Sequence, residues 1–121
     1  MNRILLALLV ALTLSVTLAA SYYDFEQITV DATAGGKGFT AAKITPSNKP
    51  PMTSASCRLR TAEISYLYVD PAATTVTASV GQLLEPGDTI TFSNREDLLN
   101  FRAIRTGATS GQLDCTYKAA N

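Results

Sequence analysis

Two cysteines, Cys57 and Cys115, sit at the centres of the two most regularly alternating segments of the chain, and that coincidence constrains the fold more than any other feature. Ala55, Cys57 and Leu59 alternate with Ser56, Arg58 and Arg60; Leu113, Cys115 and Tyr117 alternate with Gln112, Asp114, Thr116 and Lys118. A period of two, one face apolar and the other wet, is the pattern of a half-buried β-strand. Both cysteines therefore fall on inner faces. Matching inward parity is what a bridge across the core requires, because an outward-facing cysteine cannot reach a partner inside. The expectation is a disulfide joining the third strand to the last, closing a loop of about 60 residues and contributing ~3–4 kcal/mol through the unfolded state. In a reducing cytosol the same pair would remain two small buried thiols.

The amino terminus selects between these alternatives. Met1-Asn2-Arg3 is a short cationic start, Ile4 to Leu18 carries no charge, and Thr17-Leu18-Ala19-Ala20-Ser21 closes the run with small residues. This is the three-part layout of a secretory signal. The run is short for a bilayer span, which needs about 20 residues, and its small-residue exit favours cleavage over anchoring. The expected organisation is a signal peptide or amino-terminal hydrophobic anchor over residues 1–20 and one domain over 21–121. About 100 residues suffice for a single compact core.

Beyond the leader, short strand-like segments alternate with turns, and no long stretch shows a helical period. The pattern predicts strands over 25–30, 38–44, 55–60, 63–69, 74–80, 88–93, 99–105 and 112–118. Turns are expected at Ala34-Gly35-Gly36-Lys37-Gly38, at Asn94-Arg95-Glu96-Asp97 and at Thr106-Gly107-Ala108-Thr109-Ser110-Gly111. Glu85-Pro86-Gly87-Asp88 has proline second and glycine third, which fits a type II turn. Pro46, Pro50 and Pro51 mark a loop crossing between sheets. The fold class that follows is all-β, a single β-sandwich or jelly-roll-like domain of seven or eight short strands after the leader.

The chemistry such a chain can carry is narrow. It has no histidine, so the usual Ser-His and Cys-His machineries are excluded, and two isolated cysteines fall short of a zinc site. Glu85 and Asp88 flank one turn and Glu96 and Asp97 are adjacent; glycosidase work needs carboxyl groups facing across a cleft, so these read as solvated turn and capping residues. The Gly35-Gly36-Lys37-Gly38 turn lacks the spacing of a nucleotide loop. Neither a metal nor an organic cofactor is expected, and no enzyme activity. Ten basic side chains balance ten acidic ones, and losing the leader removes only Arg3, which argues against a nucleic-acid partner. A membrane enters only through an uncleaved leader. Tyr66 and Tyr68 are expected to pack the core with Ile64, whereas Tyr22 and Tyr23 fall in a segment that reads as a free arm. With Phe25, and with Leu67 and Val69 on the face opposite Tyr66, they form the candidate interface.

The residues from Ala62 onward also carry a resemblance. Ala62-Glu63-Ile64, Ser79-Val80-Gly81-Gln82-Leu83-Leu84-Glu85-Pro86-Gly87-Asp88, Asn100-Phe101-Arg102-Ala103-Ile104-Arg105-Thr106-Gly107 and Gly111-Gln112-Leu113-Asp114-Cys115-Thr116-Tyr117 follow one another in an order that resembles a group of small β-sandwich proteins. These are encoded among the virion structural genes of tailed bacteriophages and prophages. Phe25-Glu26-Gln27-Ile28-Thr29-Val30 and Gly38-Phe39-Thr40-Ala41 extend the likeness to nearly the whole mature chain. The resemblance implies a non-enzymatic, decoration-like or accessory virion protein that binds capsid subunits or copies of itself as a homo-oligomer. The leader and the cysteine pair suit a different reading, an exported periplasmic or cell-surface module for glycan or protein.

Overall fold

The computed structural model describes residues 22–119; the leader, 1–20, lies outside the described residues. Seven strands form two antiparallel sheets, an all-β sandwich as expected. β1 (Tyr22–Val30), β7 (Gly111–Ala119), β2 (Ser54–Leu59) and β5 (Thr89–Phe92) make one sheet in the order β1-β7-β2-β5. β4 (Gln82–Leu84), β3 (Ile64–Leu67) and β6 (Arg102–Arg105) make the other, in the order β4-β3-β6. Two short helices, α1 (Ala41–Ile44) and α2 (Arg95–Asn100), close one end.

The alternation around the cysteines sets the larger sheet. On β7 the inward residues Leu113, Cys115, Tyr117 and Ala119 are fully buried, and β1 and β2 pair with β7 on its two sides. Cys57 and Cys115 are bonded, but the bridge does not cross the core as the parity argument had it. They are direct partners on adjacent strands of one sheet, with Cα atoms 4.1 Å apart, the close, non-hydrogen-bonded kind of pair. Inward parity serves that geometry equally, because two facing residues of neighbouring strands project to the same side.

The space between the sheets is filled by rings. Phe39 stacks on Phe101 at 4.6 Å and meets Phe92 and Tyr117 edge-on at 5.2 and 5.5 Å, while Phe92 meets Phe101 edge-on at 5.1 Å. Offset and edge-to-face pairs of this kind add ~0.5–1.5 kcal/mol each beyond burial.

Two expected strands are not strands, and a third begins later than expected. Residues 38–44 give Phe39 to the core and then turn into α1; the nearest ladder contact is a single bridge between Lys37, just before them, and Ala103. Residues 74–80 form a loop in which Val76 alone is buried, closed by a bridge between Thr77 and Val80. The segment 94–100, read as a turn and the start of a strand, is α2. Asn94 caps it by accepting the Asp97 backbone N–H at 2.9 Å, Glu96 and Asp97 occupy the first turn where the helix dipole favours negative charge, and Leu98 enters the core. The expected free arm is also corrected: Tyr22 and Tyr23 begin β1 and pair with Ala119 and Lys118.

The Glu85–Asp88 turn closes as expected, with the Asp88 N–H donating to the Glu85 carbonyl at 3.0 Å and Gly87 at φ +94°. Replacing Gly87 by Val should lower stability by about 1 kcal/mol or more, through backbone strain alone, since the space beside it is open. Gly81→Ala should cost more: φ is +151° there and an added Cβ would lie 2.3 Å from the Ser65 hydroxyl oxygen and 3.0 Å from the Tyr66 carbonyl. Urea midpoints of the two variants check both the sign and the order. A Cys57→Ser, Cys115→Ser double variant should lose ~3–4 kcal/mol against the oxidised protein in the same measurement.

Candidate functional site

The sandwich offers two outer faces and two ends, and its register assigns each expected interface residue to one of them. Along β1, Tyr23, Phe25, Gln27 and Thr29 point away from the core, while Tyr22, Asp24, Glu26, Ile28 and Val30 point in. Tyr23 and Phe25 are both more than half exposed, on the outer face of the four-stranded sheet. Tyr22 is half-buried and packs against the core. Leu67 lies on the outer face of the three-stranded sheet, half-buried, and Val69 follows two residues beyond it, exposed. The expected interface residues therefore do not form one surface; they divide between opposite sides of the sandwich.

Two acidic residues at inward positions of β1 explain why the sheet margin is closed. Asp24 and Glu26 lie beneath the segment that carries α1. The Thr40 hydroxyl donates to Glu26, the Tyr117 hydroxyl donates to Glu26 Oε2 at 2.5 Å, and Lys43 Nζ donates to Asp24 at 3.2 Å and to the Phe25 carbonyl at 3.2 Å. Burial, followed by the Glu26 carboxylate, pushes the Tyr117 hydroxyl far above the ordinary tyrosine value. The Phe25 N–H and then Lys43 hold the Asp24 carboxyl below its ordinary value. The arrangement anchors a lid over the core, and every polar group in it is engaged.

A second carboxylate pair was not legible from local sequence. Glu63, just before β3, and Glu85, just after β4, share a hydrogen bond that lowers the first carboxyl and raises the second; Thr106 also donates to Glu63 at 2.7 Å. Glu85 had been paired in sequence with Asp88, whose carboxylate instead accepts the Glu85 backbone N–H at 3.0 Å. Only the β3–β4 register reveals the partner from another strand. Among the described residues no group of three or more His, Cys, Asp and Glu side chains is placed to hold a metal ion.

The surface of the four-stranded sheet is a field of small hydroxyls. Tyr23, Ser54, Ser56, Thr91, Thr116 and Lys118 border a shallow, apolar-floored groove of about 230 Å³. A groove of about 300 Å³ at the other end lies between Arg58, Arg60 and Gly87, with Arg60 held by Asp114 at 2.8 Å.

The outer face of the three-stranded sheet is more apolar. Leu83, Ser65 and Ile104 are paired neighbours across β4, β3 and β6, and Leu67 lies one step along the same face. Ser65 is fully buried, with Gly81 lying directly over its hydroxyl, whereas Leu83 is 58% exposed and Val80 46%. Leu83 went unread as an interface residue because Leu83-Leu84 looks like one apolar step into a turn; only strand parity separates the buried Leu84 from its exposed neighbour.

Comparisons with family models, with curated proteins and with solved structures return no match, so the functional reading rests on geometry and sequence.

The Tyr117–Glu26 bond sets a pH dependence. A tyrosine whose folded value is raised contributes stability that is complete below its unfolded value, ~10, and is lost as pH rises above it. Stability should therefore decline from about pH 10 upward, and Tyr117→Phe should make that decline shallower while costing ~1–3 kcal/mol at neutral pH by removing one of the two hydroxyls that donate to Glu26. Urea unfolding at a series of pH values reads both effects.

Proposed function

We propose that this chain is a non-enzymatic structural protein that binds protein subunits, copies of itself or of another coat or surface protein, through the outer face of its three-stranded sheet. The observation that carries the reading is Leu83: a leucine at an outward position in the body of a strand, more than half exposed, with Val80 exposed nearby and Leu67 and Ile104 half-buried on the same face. Contiguous apolar side chains on a small domain mark places where another protein sits. A face of this kind works by shape and desolvation and needs no reactive group, which agrees with a chain that has no histidine.

The virion-accessory form of the proposal draws on the resemblance of the 79–88 and 100–117 segments to phage structural proteins. The buried Cys57–Cys115 bridge and the leader favour an oxidising, exported setting for the same activity. A second reading, an exported module for glycan, draws on a different surface: Tyr23 and Phe25 standing beside the hydroxyl-lined groove of the four-stranded sheet. Exposed aromatic rings flanked by hydrogen-bonding side chains suit sugar rings, which present apolar and polar edges together.

Sedimentation of the protein purified from its native compartment separates these. The subunit-binding reading expects self-association at tens of micromolar, or binding to a purified coat or surface assembly, and a loss of it in Leu83→Glu with the fold intact. A monomer that binds no such assembly, and whose retention on immobilised glycan falls with Tyr23→Ser, would establish the second reading instead.

A further inference from the structure

We infer that the end of the sandwich from which the leader departs is built to rest on a lipid bilayer, with Tyr22, Tyr23, Lys49 and Lys118 as its collar at the headgroup layer. The strand directions define that end. β1 starts there at Tyr22, β7 finishes there at Ala119, β2 begins there at Ser54, and β5 delivers the chain there to α2. The β2–β3 turn is at the opposite end, so β3 also runs toward the collar and leaves Tyr68 and Val69 beside it; Tyr68 meets Phe92 edge-on at 6.2 Å.

Two observations point to a membrane. The first is composition. Tyr22 and Tyr23 each hold a lysine from elsewhere in the chain: Lys49 Nζ lies 4.3 Å over the Tyr22 ring and 2.7 Å from its hydroxyl, and Lys118 Nζ lies 5.8 Å over the Tyr23 ring. Tyrosine with lysine is the pairing that membrane interfaces favour, rings at the headgroup level and ammonium groups toward phosphate. Four of the seven large hydrophobic side chains exposed among the described residues, Tyr23, Tyr68, Val69 and Leu99, belong to this one end. A fully solvated end has no reason to gather them.

The second is where the described chain begins. The uncharged segment from Ile4 to Ala20 is 17 residues, at the short limit of what spans a bilayer, and Ser21 alone separates it from Tyr22. A segment inserted in the membrane leaves no slack before β1, so the collar end must meet the surface. Arg3 ahead of the apolar segment keeps the amino terminus on the cytoplasmic side and puts the sandwich on the other, where the disulfide forms. Of the nearby acids, Asp24 is bonded to Lys43, Asp70 accepts the Ala72 backbone N–H at 3.0 Å, and Glu96 and Asp97 lie in the first turn of α2. The docked state belongs to the chain while it carries its leader, and does not depend on the subunit-binding face.

The chain has no tryptophan, so a single introduced one reports its own surroundings. The full chain, synthesised into nanodiscs of phosphatidylethanolamine and phosphatidylglycerol carrying brominated lipid, is compared as Tyr23→Trp, Leu99→Trp and Ala108→Trp; Ala108 is exposed in the turn before β7, at the opposite end. Docking expects severalfold stronger bromine quenching at positions 23 and 99 than at 108, and weaker quenching at 23 when Lys49→Glu and Lys118→Glu are added. Equal quenching at all three positions overturns the inference. So does quenching at 23 that ignores the lysine substitutions, or shielding of 23 that grows with protein per disc without bromine quenching, which would mean a second copy covers this end.

Discussion

The pairing of β7 with strands on both sides is the constraint on which the rest of the structure depends. The last strand of the chain is an interior strand of the larger sheet: β1, the first strand, and β2 both take their register from it. Its four inward residues are fully buried, and each contributes differently. Cys115 bonds β2, Tyr117 joins the aromatic cluster and holds Glu26, and Leu113 and Ala119 fill the two ends. Because side chains alternate, a one-residue slip of β7 would turn this whole set to solvent. A covalent link between directly opposed residues of β2 and β7 removes that slip from the accessible states, which is a different service from stapling two sheets together. It also leaves β1, which pairs with β7 alone in its sheet, without a ladder partner until β7 has been made.

Order at the margins follows from polar contacts that local sequence does not announce. Arg95 reaches from α2 to the carbonyls of Ile44 and Met52 at 3.0 and 3.1 Å and to the Thr45 hydroxyl at 2.6 Å, fixing both ends of the proline-bearing loop. Lys43, Thr40 and Tyr117 converge on Asp24 and Glu26 from three directions. These contacts hold two half-buried carboxylate-bearing positions beneath a lid instead of leaving an open sheet edge, a recognised route to unwanted pairing. The apolar residues that remain exposed are therefore not packing defects at an unfinished edge; they stand on finished faces.

Strand alternation was legible wherever a strand has one wet face and one dry face. The cysteine-bearing strands β2 and β7 read directly, as did β5 and the turn at Gly87. Where alternation failed, the physical reason is identifiable. Residues 74–80 are rich in β-branched side chains yet bury only Val76, because no neighbouring strand offers them a ladder. Residues 38–44 contribute one ring to the core, and a single inward Phe39 can be supplied by a loop as readily as by a strand. The six residues of α2 are too few for a helical period to emerge, although Asn94 followed three residues later by Asp97 was a readable cap. Of the candidate surfaces, Tyr23, Phe25, Leu67 and Val69 were visible as unexplained apolar residues. Their division between opposite sides, and the exposure of Leu83, required the register.

These features describe a disulfide-locked sandwich with large apolar side chains exposed on its faces and at one end. The most direct measurement is the intact mass of the protein isolated from its native compartment under thiol-blocking conditions, with and without reductant. The account predicts a mass lower by two hydrogens before reduction, no alkylation until reductant is added, and a Cys57–Cys115 linked peptide on digestion. A native protein in which both thiols are alkylated without reductant would contradict it.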